Sequence, residues 1–327
     1  MSSAMPALGI DIAKASFEVA LVVGERMQRH TFENNPSGFG RLQAWLKQHK
    51  VVRVHACLEA TGGYGDDLAQ YLYEQGHTVS IVNPAVIHHY AITQLARNKT
   101  DRLDAQVIAR YCLKEQPRPW EPPAPELLKL RQMVTFVETL QEERTRQLNR
   151  LSAEPDLSEI QQALQDQLAL LDKQIAQFQQ AIHDHIDSHL DLRQQHDLLR
   201  SIKGIGEVTA AKLISINLLA FDSTRAVGAY AGLSPRVGES GTSVHHQTRL
   251  CKLGDGSLRQ ALYMPAMAAR RTNPLIKSFC DRLAKRGKCK MAVLGAAMRK
   301  LLCLAYGVLK SGKPFDPNYV ANLQLAS

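Results

Sequence analysis

The chain has 327 residues, of which 45% are hydrophobic and 22% charged, as expected for a globular protein of two or three domains. No apolar run approaches the roughly 20 residues of a membrane span, and the first residues lack the pattern of a signal peptide, so we expect a cytoplasmic protein. The six cysteines show neither C-x-x-C spacing nor the density of a disulfide scaffold, which disfavours disulfides and a zinc site. We expect reduced, mostly buried thiols.

The net charge of +9 is unevenly distributed. Residues 1–116 hold 12 Lys/Arg against 11 Asp/Glu (+1), residues 117–196 hold 8 against 13 (−5), and residues 197–327 hold 20 against 7 (+13). A concentrated basic domain usually faces a polyanion, most often a phosphate backbone. A generic solubilising surface is the alternative, but it gives no reason to segregate the signs.

The first third of the chain predicts an α/β domain. Three β-rich runs, 7–13, 16–23 and 27–34, predict an antiparallel meander. Helical and strand patterns then alternate: a helix over 37–49, a strand over 52–60, a helix over 64–76, a strand over 78–84, and a helix from Thr100 to about 115. The order βββαβαβα is that of a ribonuclease-H-like domain.

A proline-rich segment follows this domain. Residues 116–126 read QPRPWEPPAPE and contain five prolines, which predicts a stiff linker. Two long helices are predicted next, over about 126–152 and 157–190. Apolar residues recur in the second at spacings of three and four: Leu164, Leu168, Leu171, Ile175, Phe178 and Ile182. This heptad seam predicts a short coiled coil, either a hairpin closed within one chain or one that pairs with another protomer.

Four carboxylates in the first domain are candidates for chemistry. Asp11 lies on the first predicted strand and Glu59 near the end of the fourth. Asp101 and Asp104 lie on one face at the start of a helix, because residues three apart are neighbours there. In a ribonuclease-H-like sheet the first and fourth strands are adjacent, so a helix crossing their ends would bring all four together. Taken singly, each acid could equally be a cap or a solvated side chain.

Converging carboxylates repel one another unless cations neutralise them. Two Mg²⁺ ions bound by oxygen ligands would do so, and would clamp a phosphoryl group during its displacement. Two of the acids lie within the basic stretch RNKTDRLDA, residues 97–105. We expect its Lys99 and Arg102 to face substrate phosphate.

The last third begins with a predicted helix-hairpin-helix element, LLRSIKGIGEVTAAKLIS, residues 198–215. Its turn contains Lys203, Gly204 and Gly206, and such a turn presents backbone N–H groups to a phosphate. A hairpin that only packs is the alternative.

A polar loop, GESGTS, covers residues 238–243, with further cations around it that we expect to bind nucleic acid: Arg236, Arg249, Lys252 and Arg259. Its Ser240 and Ser243 could be turn residues or nucleophiles. Activation would need a neighbouring base, and the candidates are Glu239, His245 and His246.

Blocks along nearly the whole chain resemble one known family: GIDIAK, LEATGGY, VNPA, RNKTDRLDA, IKGIGEVTA, AGLSPR, ESGTS, LRQALYMPAM and AYGVLKSG. They resemble the insertion-sequence transposases with an Asp-Glu-Asp-Asp site, the bridge-RNA-guided recombinases. The resemblance implies four regions: a RuvC-like domain over 1–116, a linker over 117–126, a coiled-coil hairpin over 127–192, and a mainly α-helical basic transposase domain with a catalytic serine over 193–327.

The same resemblance implies the residues and partners of the reaction. Asp11, Glu59, Asp101 and Asp104 would bind Mg²⁺, and Ser240 would be the nucleophile, with Ser243 as second candidate. The serine would cleave a strand, form a covalent bond to a DNA phosphate, and allow exchange and rejoining. Partners would be double-stranded donor and target DNA, a non-coding bridge RNA, and further copies of the chain. A dimer or tetramer would form a composite site, with the acids of one protomer facing the serine of another.

Three other functions are open from the residues. A RuvC-like structure-specific endonuclease would need the four acids and no serine. An actin-like sugar kinase or ATPase would share the first β-hairpin, but it needs a second Gly-rich phosphate loop that the sequence lacks. A non-catalytic nucleic-acid-binding protein would not depend on Asp11.

Overall fold

A computed structural model divides the chain into two compact units, Met1–Pro123 and Ala124–Ser327. The structure describes residues 5–60, 63–93, 101–153, 158–236, 239–240, 244–245, 249–251 and 253–318. Within these ranges it leaves out the side chains of residues 85, 101–103, 236, 239–240, 244–245 and 249.

The N-terminal unit is built on a five-stranded sheet of order β3-β2-β1-β4-β5. Its strands are β1 Ala7–Ile12, β2 Ser16–Val23, β3 Arg26–Glu33, β4 His55–Glu59 and β5 Thr78–Val82. β1 to β3 pair antiparallel, whereas β4 joins β1 and β5 joins β4 in parallel. The predicted meander and the predicted adjacency of the first and fourth strands are therefore confirmed.

Helices cover both faces of this sheet. The helices are α1 Pro36–Gln48, α2 Asp66–Glu74, α3 Pro84–Thr93 and α4 Asp101–Glu115. The apolar faces of α1 and α2 share one core with Leu8 and Ile10 of β1, and α4 packs on the other side. We did not predict α3 from the sequence. Its apolar residues form no single stripe, since Ile87 is buried while Val86 and Ile92 are exposed.

The first part of the proline-rich segment lies along β5. The Trp120 N–H donates to the Val79 carbonyl at 2.6 Å. The Ser80 hydroxyl lies 3.0 Å from the Pro117 carbonyl and 2.8 Å from that of Arg118. The Trp120 ring also contacts the apolar core of the unit. These bonds close one edge of the sheet, and the segment up to Pro123 belongs to the N-terminal unit.

The C-terminal unit is mainly α-helical, as predicted. Its helices are α5 Pro125–Ala153, α6 Ser158–Ser188, α7 Leu190–Arg200, α8 Glu207–Ser215, α9 Thr224–Tyr230, α10 Gly256–Thr272, α11 Pro274–Lys285 and α12 Lys290–Ser311, with a 3₁₀ turn at Leu218–Ala220. Four two-residue strands form two antiparallel ribbons: β6 Pro235–Arg236 with β9 Arg249–Leu250, and β7 Glu239–Ser240 with β8 Val244–His245.

The two longest helices, α5 and α6, pack against each other in opposite directions. The rings of Phe136 and Phe178 lie 4.7 Å apart, and nearer the end of α5 Arg144 pairs with Asp172. Of the predicted heptad positions, Leu164, Leu168 and Ile182 are buried. The other three, Leu171, Ile175 and Phe178, are only partly buried. The seam is thus covered in part within one chain, and its pairing with another protomer stays a prediction.

Helix α12 is the centre of the C-terminal core. Among the residues that the structure describes, it is the one helix long and apolar enough to cross a membrane, and 61% of its apolar window is buried. Its inward side chains, such as Leu301, Leu302 and Ala305, are fully buried against neighbouring helices. A core helix accounts for this composition.

Candidate active site

The acids of β1 and β4 lie on the same face of the sheet. Leu8 and Ile10 point into the core beneath α1 and α2, so Gly9 and Asp11 face the opposite side, because side chains alternate along a strand. Ile10 pairs with Leu58 in the parallel register. Asp11 and Glu59 are therefore the next positions of two adjacent strands, and both side chains are partly exposed.

Helix α4 lies directly on this face at Gly9. A Cβ atom at Gly9 would come within 2.2 Å of the Ala105 carbonyl oxygen and the Ala109 nitrogen. A residue without a side chain is therefore required for this close approach of strand and helix. Asp104, which is partly exposed, immediately precedes Ala105 on the helix.

The direction of α4 brings its acidic end to the same edge. The Cys112 thiol near the C-terminus of α4 donates to the His55 carbonyl at the start of β4, at 3.3 Å. From Cys112 back to Asp104 the helix extends about 12 Å, and from His55 to Glu59 the strand extends about 13 Å. Asp104 thus lies toward the carboxyl end of β4, on the side where Asp11 and Glu59 lie.

The fourth predicted acid, Asp101, is the first residue of α4, and its side chain is not among those described. Asp11, Glu59 and Asp104 each make a polar or electrostatic interaction within the protein. Among the side chains that are described, no three His, Cys, Asp or Glu groups are placed to hold a metal ion. The donor type nevertheless suits a hard divalent cation, since all four groups are carboxylates.

A fifth carboxylate that the sequence reasoning missed lies beside this set. Glu18 on β2 is the direct cross-strand partner of Asp11. Ala20 and Val22 of the same strand pack with Ala105 and Ala109 of α4, so Glu18 also faces the α4 side. The sequence signal for this pairing is the register of the β1–β2 hairpin, in which residues at equal distances from the turn lie opposite each other.

Two buried thiols pack between β4 and α4. Cys57 precedes Glu59 by two residues on β4, and Cys112 faces it from α4. A hydrogen bond with Cys112, together with burial, raises the pKa of Cys57, which stays a neutral thiol. All six cysteines are free, and three of them are buried.

The predicted helix-hairpin-helix element is formed by α7, α8 and the turn between them. Gly204 has a φ of +107°, and a Cβ there would come within 2.6 Å of the Ala269 side chain. The Asn273 side-chain amide donates to the Lys203 carbonyl at 3.3 Å. The turn is thus pressed against α10, while the Lys203 side chain and Gly206 are exposed. These contacts explain the glycine by packing, and phosphate binding at the turn stays a prediction.

The predicted serine lies on a short β-ribbon. Ser240 of β7 is opposite Val244, and Glu239 is opposite His245, so two candidate bases are its near neighbours along the backbone. The described residues do not include Ser243, His246, Lys252 or Lys99, nor the side chains of Arg102, Arg236 and Arg249.

Arg259 is engaged by the protein itself. Its Nη1 atom donates to the carbonyl oxygens of Ala231, Gly254 and Asp255 at 3.0, 3.2 and 3.2 Å. The guanidinium therefore ties the loop before α10 to the end of α9.

Carboxylates at the ends of adjacent strands, in a chain whose residues 197–327 carry a net charge of +13, are typical of enzymes that transfer phosphoryl groups on DNA. Two family models match the chain. Residues 8–154 match a family described as "Transposase", whose name contains the letters DEDD for Asp-Glu-Asp-Asp. Residues 196–281 match the "Transposase IS116/IS110/IS902 family".

Curated relatives agree with these matches. The chain is 35% identical to the pilin gene-inverting protein of Moraxella lacunata over 318 aligned residues. The alignment covers 94% of this chain and 97% of the relative. The Moraxella bovis protein of the same name matches to the same extent. A stretch of 149 residues, 45% of the chain and 36% of the relative, is 27% identical to the insertion element IS110 43.6 kDa protein of Streptomyces coelicolor. The chain belongs to the IS110 family, and it is a DNA transposase or recombinase. The family resemblance predicted from the sequence is confirmed.

Proposed function

We propose that this transposase cleaves, exchanges and rejoins DNA strands through a covalent bond between Ser240 and a DNA phosphate. The observation that carries the proposal is the packing of α4 on β1 at Gly9, which directs Asp104 toward the edge formed by Asp11 and Glu59. A site of this kind, at the mouth of a ribonuclease-H-like or RuvC-like sheet, stabilises charge on a phosphate that is being displaced.

Asp11, Glu59, Asp101 and Asp104 would hold two Mg²⁺ ions. Bound there, the ions would neutralise the acids and polarise the phosphate oxygens. Without a cation the four carboxylates would repel one another and the DNA.

The chain's own groups would carry out the nucleophilic step. The Ser240 hydroxyl gives up its proton to a neighbouring base, with Glu239 or His245 as the candidates, and its oxygen forms a new bond to phosphorus. The bond from phosphorus to one DNA oxygen breaks, and that oxygen leaves as a hydroxyl after taking a proton. Rejoining reverses these events with the hydroxyl of another strand, which releases the serine.

The remaining predicted residues would position the nucleic acids. Backbone N–H groups at Gly204 and Gly206, the Lys203 side chain, and the cations around the serine ribbon and near Asp101 would contact phosphates. These cations are Lys99, Arg102, Arg236, Arg249 and Lys252. Arg259 would act indirectly, through the loop that it supports.

We further propose that the enzyme works in the cytoplasm as a homo-oligomer on donor and target DNA, guided by a bridge RNA. The segregation of charge supports a long polyanionic partner, since residues 197–327 carry a net +13. The α5–α6 coiled coil would serve as the assembly element, and the acids of one protomer would meet the serine of another.

The test is recombination between a donor and a target plasmid, with and without the element's flanking non-coding RNA. Wild type is compared with Asp11→Ala, Asp104→Ala and Ser240→Ala, and protein attached to DNA is sought on denaturing gels. We expect recombination only with the RNA present, and an adduct only with intact Ser240. Ser152→Ala on α5 is the control, because within the described part of the chain that hydroxyl bonds to the nearby Asn149 carbonyl alone.

The same experiment separates the alternatives. If Ser240→Ala still recombines, the nucleophile is elsewhere and Ser243 is tested next. If that variant cuts DNA without rejoining it, the chain acts as a RuvC-like endonuclease that needs only the acids.

A further inference from the structure

One face of the C-terminal unit carries a dense group of exposed cations on α11 and on the adjoining ends of α10 and α12. This α11 surface consists of seven side chains, all exposed: Arg270, Arg271, Lys277, Arg282, Lys285, Arg286 and Lys290. Between residues 270 and 290 there are eight Lys/Arg residues and one acid, Asp281. From the sequence, residues 281–312 are predicted to form a basic turn and a helix with an apolar face, suited to packing and backbone contact, and Arg282, Lys285, Arg286 and Lys290 lie in this stretch.

The cations of this surface have no acidic partner among the residues that the structure describes. Elsewhere in the unit the Lys212 ammonium lies 2.7 Å from Glu138, Arg144 pairs with Asp172, and Arg200 with Glu207. Within the part of the chain that the structure describes, none of the seven forms an ion pair. Like charges held close together repel, and an external polyanion removes that repulsion.

The surface is also concave beside these cations. Two grooves, of 640 and 620 Å³, flank α11 and share Lys277 and Asp281 among their lining residues. The larger groove is also lined by three uncharged residues, Tyr263, Met267 and Met291, whose side chains are 38%, 36% and 65% exposed. Cations would meet phosphates while the apolar groups meet the sugar carbons between them.

The spacing of the cations suits an extended backbone. Lys277 and Lys285 are eight residues apart on α11, which is about 12 Å along the helix and equals three to four base pairs at 3.4 Å each. A groove for unpaired strands needs a series of aromatic side chains on which bases stack. Among the residues that line the two grooves, Tyr263 alone is aromatic, which favours a duplex.

We propose that the α11 surface binds the sugar–phosphate backbone of double-stranded DNA, independently of base sequence. This surface shares no residue with the acidic set, the serine ribbon or the helix-hairpin-helix turn. The inference rests on the proposed function only in that the ligand is the DNA whose strands are exchanged.

The test measures binding of the full chain to a duplex of random sequence at several salt concentrations. Lys277→Gln, Arg282→Gln and Lys285→Gln are combined, and the matched control combines Lys129→Gln, Lys173→Gln and Arg193→Gln, which are exposed on α5, α6 and α7. Each set removes two lysines and one arginine. The binding constant falls as salt rises, and each phosphate contact contributes about 0.9 to the slope of log binding constant against log salt concentration. We expect the α11 variant to reduce the magnitude of this slope by about 2 to 3 and to bind the duplex at least about tenfold more weakly.

The control should bind duplex DNA within about twofold of wild type. Equal slopes for the two triple variants would overturn the proposal. A loss confined to structured RNA, with duplex binding intact, would overturn it as well and assign the surface to RNA. Circular dichroism checks that both variants fold. Done on an Asp11→Ala background, the assay needs neither strand cleavage nor Ser240, so its failure is distinct from failure of the proposed function.

Discussion

The acids of the N-terminal unit and the cations of the α11 surface differ in how firmly the protein fixes their positions. In the N-terminal unit the acids are placed by the backbone: Asp11 and Glu59 by a strand register, and Asp104 by the contact of α4 with Gly9. On the α11 surface the cations are on long side chains, exposed and without ion-pair partners among the described residues. Displacing a phosphate requires positions fixed within a fraction of an ångström, whereas attracting a polyanion requires only charge of one sign.

Removing one fixed acid should have the largest effect. Asp104→Asn keeps the size of the side chain but removes its charge. If Asp104 binds a metal ion as proposed, we expect strand cleavage to fall by about a thousandfold or more. Asp67→Asn, an exposed acid of α2 in the same unit, is the control and should leave cleavage unchanged. Cleavage by Asp104→Asn at more than about a tenth of the wild-type rate would remove Asp104 from the site.

Adding one methyl group at Gly9 tests the contact that positions α4. Gly9→Ala should destabilise the N-terminal unit by about 3 kcal/mol, because the new Cβ overlaps backbone atoms that cannot rotate away. Gly40→Ala in α1 is the matched control: its Cβ meets nothing within 4 Å, and alanine there should be neutral or stabilise by up to about 1 kcal/mol.

The measurement for Gly9 is denaturation followed by tryptophan fluorescence. The chain has two tryptophans, and both Trp45 and Trp120 lie in the N-terminal unit, so the signal reports on that unit. Equal midpoints for Gly9→Ala and Gly40→Ala would show that α4 can shift away without cost.

Lys212 is a buried cation of the C-terminal unit, and its replacement should lower stability more than replacement of an exposed cation. Lys212 pairs with Glu138, whose carboxylate also accepts from Ser257 at 2.9 Å. Lys212→Met leaves that carboxylate without its cation, and we expect a loss of about 2 kcal/mol, less than for a fully buried pair because the Glu138 side chain is 28% exposed. Lys203→Met, which alters an exposed cation, should change stability by less than about 0.5 kcal/mol. Thermal melts by far-ultraviolet circular dichroism compare the two, and equal losses would contradict the distinction.

A smaller effect should follow protonation of His77 in the N-terminal unit. The Val54 N–H donates to Nδ1 of His77 at 3.3 Å, and Nε2 of His77 lies 2.9 Å from the side-chain amide oxygen Oε1 of Gln43. Burial, together with the charge of Arg53, lowers the pKa of His77 below its usual 6.5. The neutral ring is therefore favoured by folding.

The sign of the pH dependence follows from that shift. Above pH 6.5 both folded and unfolded chains hold a neutral His77, and its contribution to stability is complete. Below that pH the unfolded chain binds the proton more readily, so stability falls as the pH decreases. We expect the tryptophan-monitored midpoint of wild type to decrease in this range more steeply than that of His77→Gln. Parallel pH profiles would show that His77 does not contribute.

The positions of the N-terminal acids on their strands and helix could be predicted because strand and helix patterns are local. The alternation in β1 and β4 places Asp11 and Glu59 at strand ends, and the spacing of Asp101 and Asp104 predicts a shared helix face. Glu18 was missed because its position depends on pairing across a hairpin. α3 was missed because its apolar residues form no periodic stripe.

The cations of the C-terminal unit illustrate the other limit. Arg259 and the residues of the α11 surface look alike in sequence, yet three backbone carbonyls engage Arg259, whereas no described acid pairs with the others. Whether a cation is neutralised depends on contacts between residues far apart in the chain. The composition predicted that this part of the chain carries a net positive charge, but not which cations remain without an acidic partner.

The proline-rich segment determines where the N-terminal unit can be separated from the rest. A fragment that stops at residue 116 would uncover the outer edge of β5, including the Val79 carbonyl that Trp120 now occupies. An open edge of this kind pairs with strands of other molecules, whereas prolines provide no N–H groups to continue the pairing. A fragment ending at Pro123 should stay in solution under conditions in which the shorter one aggregates.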